Sequence, residues 1–128
     1  MILDTHIWLW HVRGDARLSE SLRRRIDADP GRCLLSPVVM WEALILAQKG
    51  RFHLSEDPIG FIREAIRETA FLEAPLTHEI VVLSRELPFT HDDPADRFLA
   101  ATSIAHQAPL ITLDDRLRSL QWLSTVSS

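Results

Sequence analysis

Lysine is almost missing from this chain of 128 residues: Lys49 stands alone beside thirteen arginines. Any chemistry that needs a lysine in a fixed motif therefore has a single candidate position. Glycine is scarce too, with four residues. Neither Gly-x-x-x-x-Gly-Lys nor Gly-x-Gly-x-x-Gly occurs, which removes the nucleotide-binding loops built on those patterns. The one cysteine, Cys33, cannot form an internal disulfide. Set in the run Cys33-Leu34-Leu35, it reads as a small buried hydrophobe. No apolar run approaches the ~20 residues that span a bilayer. The N-terminus lacks the basic region and small-residue cleavage site of a signal peptide. The expectation is a cytoplasmic protein with no membrane partner. Positive charge is not in excess either, at a formal net charge of −4. That argues against gripping nucleic acid by charge alone, but is compatible with an enzyme that touches a few phosphates.

What remains is an ordinary globular composition, 46% hydrophobic, of a length that fits one domain over residues 1–128. A chain this long buries roughly two-thirds of its unfolded surface. No repeat, low-complexity segment or linker interrupts it. Ile2-Leu3-Asp4 reads as a short buried strand, with Asp4 or Thr5 capping a helix to about Val12. A second helix runs from Ser19 to about Ala28, with Leu22 and Ile26 inward, and Asp29-Pro30-Gly31 stops it. The apolar run from Cys33 to Ser36 reads as a strand of a parallel sheet covered on both faces. Pro37 opens a helix to about Lys49. Asp57-Pro58 opens the next, to about Glu68. A weaker strand covers Phe71 to Ala74, and Thr77 caps a helix to about Glu86. Pro94 opens a helix to about Gln107, followed by a strand at Leu110-Ile111-Thr112. A helical turn follows at Asp114 to Leu117, then an edge strand within Trp122 to Val126. Strands alternating with helices imply an α/β fold with right-handed crossovers and one parallel sheet between helical layers.

In such sheets, sites form outside the carboxyl ends of the strands. Asp4 follows the first strand and Asp114 lies just past the fourth. Glu42 is the only ionisable side chain from Leu34 to Ala47. Its helix is apolar nearly all round, which predicts burial, and a buried carboxylate needs a cation, a proton or several donors. Asp96, in the first turn after Pro94, shares a face with Ala100, Ser103 and Gln107. That face is small and polar, and is expected to leave room for a ligand, with Phe98, Leu99, Thr102 and Ala105 opposite. Four carboxylates on one rim, without histidine or cysteine, suit Mg²⁺ or Mn²⁺ and argue against zinc. An ion held this way serves phosphate-ester chemistry, polarising a phosphoryl oxygen and activating water. Without the ion, mutual repulsion is expected to destabilise the fold.

These residues resemble the PIN domain, in particular the VapC ribonuclease toxins of bacterial toxin–antitoxin pairs. The resemblance rests on Leu3-Asp4-Thr5-His6-Ile7-Trp8-Leu9-Trp10, Leu35-Ser36-Pro37 with Trp41-Glu42, the run from His91 to Ala101, and Ile111-Thr112-Leu113-Asp114. It spans nearly the whole chain, in order. It implies a three-layer Rossmann-like domain with strand order 3-2-1-4-5. It also implies a Mg²⁺- or Mn²⁺-dependent endoribonuclease with an RNA substrate, a homodimer, and a cognate antitoxin as a separate chain. Carried over by residue, the metal-holding acids are Asp4, Glu42, Asp96 and Asp114. Thr5, Ser36 and Thr112 fall where the family often has hydroxyls that orient carboxylates or water. At the third acid, Asp92 and Asp93 lie close by. Asp93 precedes Pro94 and should be held extended outside the helix, so Asp96 is favoured. Asp115 is expected to be exposed.

Other features carry blander readings. Arg23-Arg24-Arg25 reads as a solvated helix face. Arg97 either binds phosphate or pairs with a neighbouring acid. His6 and His91 lie near the rim, more as hydrogen-bonding groups than as acid–base catalysts. Trp8, Trp10 and Trp41 fall in apolar stretches and read as core or dimer packing rather than base-stacking platforms. Two other functions compete: a non-catalytic PIN-like module that binds RNA or protein, and a phospho-acceptor receiver domain. The latter needs a lysine near its last strand, and Lys49 lies in the wrong segment.

Overall fold

The shortest apolar stub of the chain ends up in the middle of the sheet. In the computed structural model, which describes residues Met1 to Ser128, Ile2–Leu3 (β1) pairs in parallel with Leu34–Leu35 (β2) on one side and Leu110–Ile111 (β4) on the other. Leu72–Glu73 (β3) extends the sheet beyond β2, and Thr125–Val126 (β5) extends it beyond β4. All four pairings are parallel, and the order is β3-β2-β1-β4-β5. The expected order 3-2-1-4-5 is therefore the observed one. Both residues of β1 and of β4 are fully buried, as continuous apolar runs require when helices cover both faces.

The helices start where their capping residues predict. Thr5–Arg13 (α1) is capped by the Asp4 carboxylate and closes at Gly14, whose φ of 62° is the left-handed conformation that glycine adopts without strain. Glu20–Ala28 (α2) is capped by Ser19 and buries Leu22 and Ile26. A short 3-10 turn at Pro30–Arg32 follows the end of α2, where the sequence predicts only a stop, and leads into β2. Pro37–Gln48 (α3) and Pro58–Glu68 (α4) both begin at proline, capped by Ser36 and Asp57. Thr77 caps His78–Glu86 (α5), Asp93 caps Pro94–His106 (α6), and Asp114 caps the single turn Asp115–Arg118 (α7). The core joins Ile2, Leu3, Ile7, Trp8, Leu9, Leu99, Leu110 and Ile111, with Trp8 its largest fully buried side chain. Cys33 lies in the same core.

Two expectations need correction. The helix carrying Glu42 is not buried all round. Only Val38, Val39 and Ala43 of α3 are buried, and Trp41 is 50% exposed. The helix packs against α1, α4 and α6, and those neighbours do not encircle it. The second correction concerns α6. Ala100 and Ser103, expected to face a ligand, are buried together with Leu99, Ala101 and Thr102. Ala100 belongs to the core, and the Ser103 hydroxyl donates to the Ala108 carbonyl. This helix touches β1, β4, α3 and α5. Its small residues serve close helix–sheet approach, and only its N-terminal turn reaches the sheet edge where acids gather.

Leu99 sits one turn below Asp96 and is fully buried. Leu99→Ala is expected to destabilise the protein by about 2–5 kcal/mol, the usual range for emptying such a site. The shift of the urea unfolding midpoint measures it.

Candidate metal centre

The carboxyl edge of the sheet opens into a cleft of about 400 Å³ lined by Asp4, Glu42, Asp93, Asp96 and Asp114. His6, Trp10, Arg51 and Arg116 line it as well. The four acids singled out from the sequence thus share one cleft, and a fifth, Asp93, joins them. A groove of similar size between α1, α2 and α4, lined by His11, Phe61 and Phe71 among others, has three acids, Asp27, Glu64 and Glu68, against the five of this cleft.

Asp4 is the most constrained of the five. It follows β1 directly and is 8% exposed. One carboxylate oxygen accepts from the Thr5 backbone N–H at 2.7 Å and the other from the Thr112 hydroxyl at 2.5 Å. The Thr112 oxygen in turn accepts from the Asp114 backbone N–H at 3.1 Å. One threonine therefore ties the end of β1 to the loop after β4. Burial raises the Asp4 pKa above its usual range. The hydrogen bonds from Thr112 and Thr5 only partly offset this, and Asp114 nearby adds to the rise.

Glu42 leans in from the second turn of α3. Burial again raises its pKa; the Thr5 hydroxyl lowers it, and Asp4 and Asp93 raise it further. That hydroxyl is completely buried and, with no partner within ordinary hydrogen-bond distance, acts on Glu42 only through a longer polar contact. Asp96, in the first turn of α6, is 6% exposed. Burial, then Asp93, Asp4 and Asp114, push its pKa up to about 8, against a smaller opposing pull from Arg116. Asp114 behaves differently. Burial would raise its pKa, yet hydrogen bonds from the Arg116 side chain and backbone outweigh this and leave it below the usual value.

Asp93 is extended at the N-cap of α6, outside the helix as its position before Pro94 requires. Its Oδ1 accepts from the Asp96 backbone N–H at 3.1 Å. Being outside the helix does not remove it from the cleft, because the cap turns its carboxylate to the same side as Asp96. His91 completes this corner. Its Nδ1 accepts from the Asp93 N–H at 3.3 Å, which leaves the proton on Nε2, 3.6 Å from Asp96 Oδ2.

Several other residues lie elsewhere. Ser36 is buried, but its hydroxyl caps α3 by accepting from Val38 N–H, and it does not line the acid cleft. Asp115 is exposed and pairs with Arg118. Asp92 pairs with Arg85 and Arg97 on the surface. Arg97 donates to the Ser84 carbonyl and lies over the Phe89 ring, so it clasps α5 to α6 and is not free for phosphate. Arg23 donates to the His11 and Asp15 carbonyls, Arg24 pairs with Glu20, and Arg25 reaches the Ser128 carbonyl. Trp8 is core; Trp10 packs at a tilt against His6 at the cleft wall. Arg116 was missed by sequence reasoning. Its Nη2 lies 3.2 Å from Asp114 Oδ2 and 3.5 Å from Asp96 Oδ2. The only signal was its place two residues after Asp114.

The donor set fits a hard divalent cation: five carboxylates, neighbouring hydroxyls, no thiolate. Three of the carboxyls carry raised pKa values, first from burial and then from the neighbouring acids. No three of these side chains are already gathered closely enough to hold one ion.

A family model for the PIN domain matches residues 1–123. The chain belongs to the PIN domain family. Ribonuclease VapC22 of Mycobacterium tuberculosis (strain ATCC 25618 / H37Rv) is 28% identical over 121 residues, covering 93% of this chain and 90% of the relative. Among solved structures, a toxin–antitoxin complex from Klebsiella pneumoniae superposes with a TM-score of 0.69 at 18% identity, over 98% of this chain and 95% of the other. DNA-bound VapBC from Salmonella typhimurium superposes with a TM-score of 0.72 at 14% identity, over 98% and 95%. At those identities the likeness shows a shared fold.

The Asp96 shift gives stability a direction in pH. The folded protein keeps a proton on Asp96 up to about pH 8, whereas the unfolded chain releases it near the ordinary carboxylate value. Ion-free protein is therefore expected to lose stability as pH rises between those two points. Urea unfolding at pH 5.5 and pH 8 checks this, and Asp96→Asn is expected to flatten the difference. A wild type equally stable at both pH values, or more stable at pH 8, contradicts the assignment.

Proposed function

We propose that this protein is a divalent-metal-dependent endoribonuclease that cleaves RNA phosphodiester bonds and acts as the toxin of a toxin–antitoxin pair. The observation that carries the reading is the cleft of five carboxylates at the carboxyl edge of the sheet. The likeness to a ribonuclease supports the RNA substrate. Asp4, Glu42, Asp96 and Asp114 are the residues proposed to hold Mg²⁺ or Mn²⁺, with Asp93 beside them. The ion supplies Lewis-acid polarisation of the phosphodiester and an activated water. Thr112 fixes both Asp4 and the start of the Asp114 turn, so it orients two of these acids at once. Trp10 and His6 form an aromatic wall at the cleft that a nucleobase can stack on.

The proposed partners are a second copy of the chain and a separate antitoxin. Each needs apolar surface, and the chain exposes it at Trp41, Ile59, Ile66, Val81 and Val82. The solved relatives include toxin–antitoxin complexes, which favours an antitoxin on part of that surface. Light scattering of the purified chain is expected to give twice its 14.6 kDa mass; a monomer at micromolar concentration removes the homodimer.

The catalytic reading is tested with purified protein, Mn²⁺ and structured RNA. Asp4→Asn and Glu42→Gln are expected to reduce cleavage by at least about a hundredfold, since even losing an outer partner of a metal site costs up to that much. Both variants should stay folded, because each keeps the size of the original side chain. RNA binding without any cleavage by the wild type would instead favour the non-catalytic module.

A further inference from the structure

Five acids share the cleft, and only two groups of positive character come within 4 Å of any of them. His91 faces Asp96, and Arg116 bridges Asp96 and Asp114. Arg51 and His6 line the same cleft without pairing with an acid. Arg116 is held there by local geometry. The Asp114 carboxylate caps α7 by accepting from the Arg116 backbone N–H at 2.8 Å, so the arginine starts beside the acids and its side chain folds back over them. Its side chain is nevertheless 56% exposed, whereas that of Asp96 is 9% exposed. The guanidinium thus enters from solvent and can leave without disturbing the core.

We propose that Arg116 is a built-in occupant of the metal centre: its guanidinium holds Asp96 and Asp114 in the ion-free protein and must swing out before a divalent cation can take the same oxygens. The inference rests on the metal-binding reading above. A guanidinium at 3.2 and 3.5 Å from two carboxylate oxygens lies in the space through which an ion bound by both would be approached. Two positive groups sharing those oxygens would repel at short range in a partly buried site. Once displaced, the guanidinium stays tethered at the cleft mouth, where its planar donors suit a phosphodiester oxygen. Arg116 therefore keeps the acids compensated when no ion is present and sets a threshold for loading.

The test is calorimetric titration of Mn²⁺ into ion-free wild type, Arg116→Gln and Arg116→Lys, without RNA. Arg116→Gln is expected to bind Mn²⁺ about fivefold more tightly, the scale of losing one partly exposed competing ion pair. Arg116→Lys should fall between the two. Ion-free Arg116→Gln is also expected to melt lower than ion-free wild type and to gain more from saturating Mn²⁺. Should Arg116→Gln fail to fold without the ion, the Arg116→Lys affinity decides, with tighter binding than wild type supporting the proposal. Wild type that binds Mn²⁺, beside folded variants that bind it equally or more weakly, overturns the role of Arg116 alone. Absence of Mn²⁺ binding by wild type and by every folded variant overturns the metal reading along with it.

Discussion

Carboxylates repel one another, and this fold holds five of them around one cleft. Everything near the cleft is arranged to make that tolerable. The parallel sheet brings the ends of β1 and β4 side by side, which puts Asp4 and Asp114 within one threonine of each other. The N-terminal turn of α6 presents Asp93 and Asp96 to the same place. Hydrogen bonds absorb part of the strain, as at Asp4, and Arg116 absorbs another part at Asp114. Asp96 has only the longer contacts to Arg116 and His91, and burial together with the neighbouring acids raises its pKa. A site assembled this way is selective by charge. On the proposed reading, a doubly positive ion would answer an imbalance that Arg116 alone does not remove.

The helices are anchored through their middles. Leu99 to Ser103 of α6 is wedged against the sheet and α5, and Ala100, Ala101 and Ser103 serve that packing. Its first turn is all that faces the cleft. Close packing below thus fixes the position of Asp96 above. α1 repeats the plan: Ile7, Trp8 and Leu9 anchor the helix, while its N-cap is the Asp4 carboxylate itself. The acids stand on rigid elements, the arrangement a site needs when donor positions must be held to fractions of an ångström.

Most of the fold was legible because its signals are local. Ser19, Thr77, Asp57-Pro58 and Pro94 mark helix starts through their own backbone chemistry, and the apolar pairs at Ile2-Leu3 and Leu110-Ile111 mark buried strands. The strand order rested on resemblance to a family and not on periodicity. The places where reading faltered are those where a neighbour decides. An apolar helix such as α3 announces hydrophobicity without saying what covers it, and Trp41 remains half exposed. Spacing along α6 put Asp96 and Ser103 on one face, but the sheet covers Ser103 and leaves Asp96 at the edge. Asp93 was correctly read as lying outside the helix, yet an N-cap can still face a cleft. Arg116 left almost no trace in the pattern, since its role depends on where α6 delivers Asp96.

The hydrogen bond between Thr112 and Asp4 joins residues 108 positions apart. Chains are made from the N-terminus, so β1 and Asp4 leave the ribosome before β4 and Asp114 and wait for them. Closing so long a loop is a slow, late event. Until then Asp4, Glu42 and Asp96 have no shared cleft to stand in. Under the proposed activity, a half-made chain is harmless to the message and to the ribosome that are producing it. On that reading, the order of the acids along the chain leaves the cleft unfinished until β4 has been made and has paired with β1.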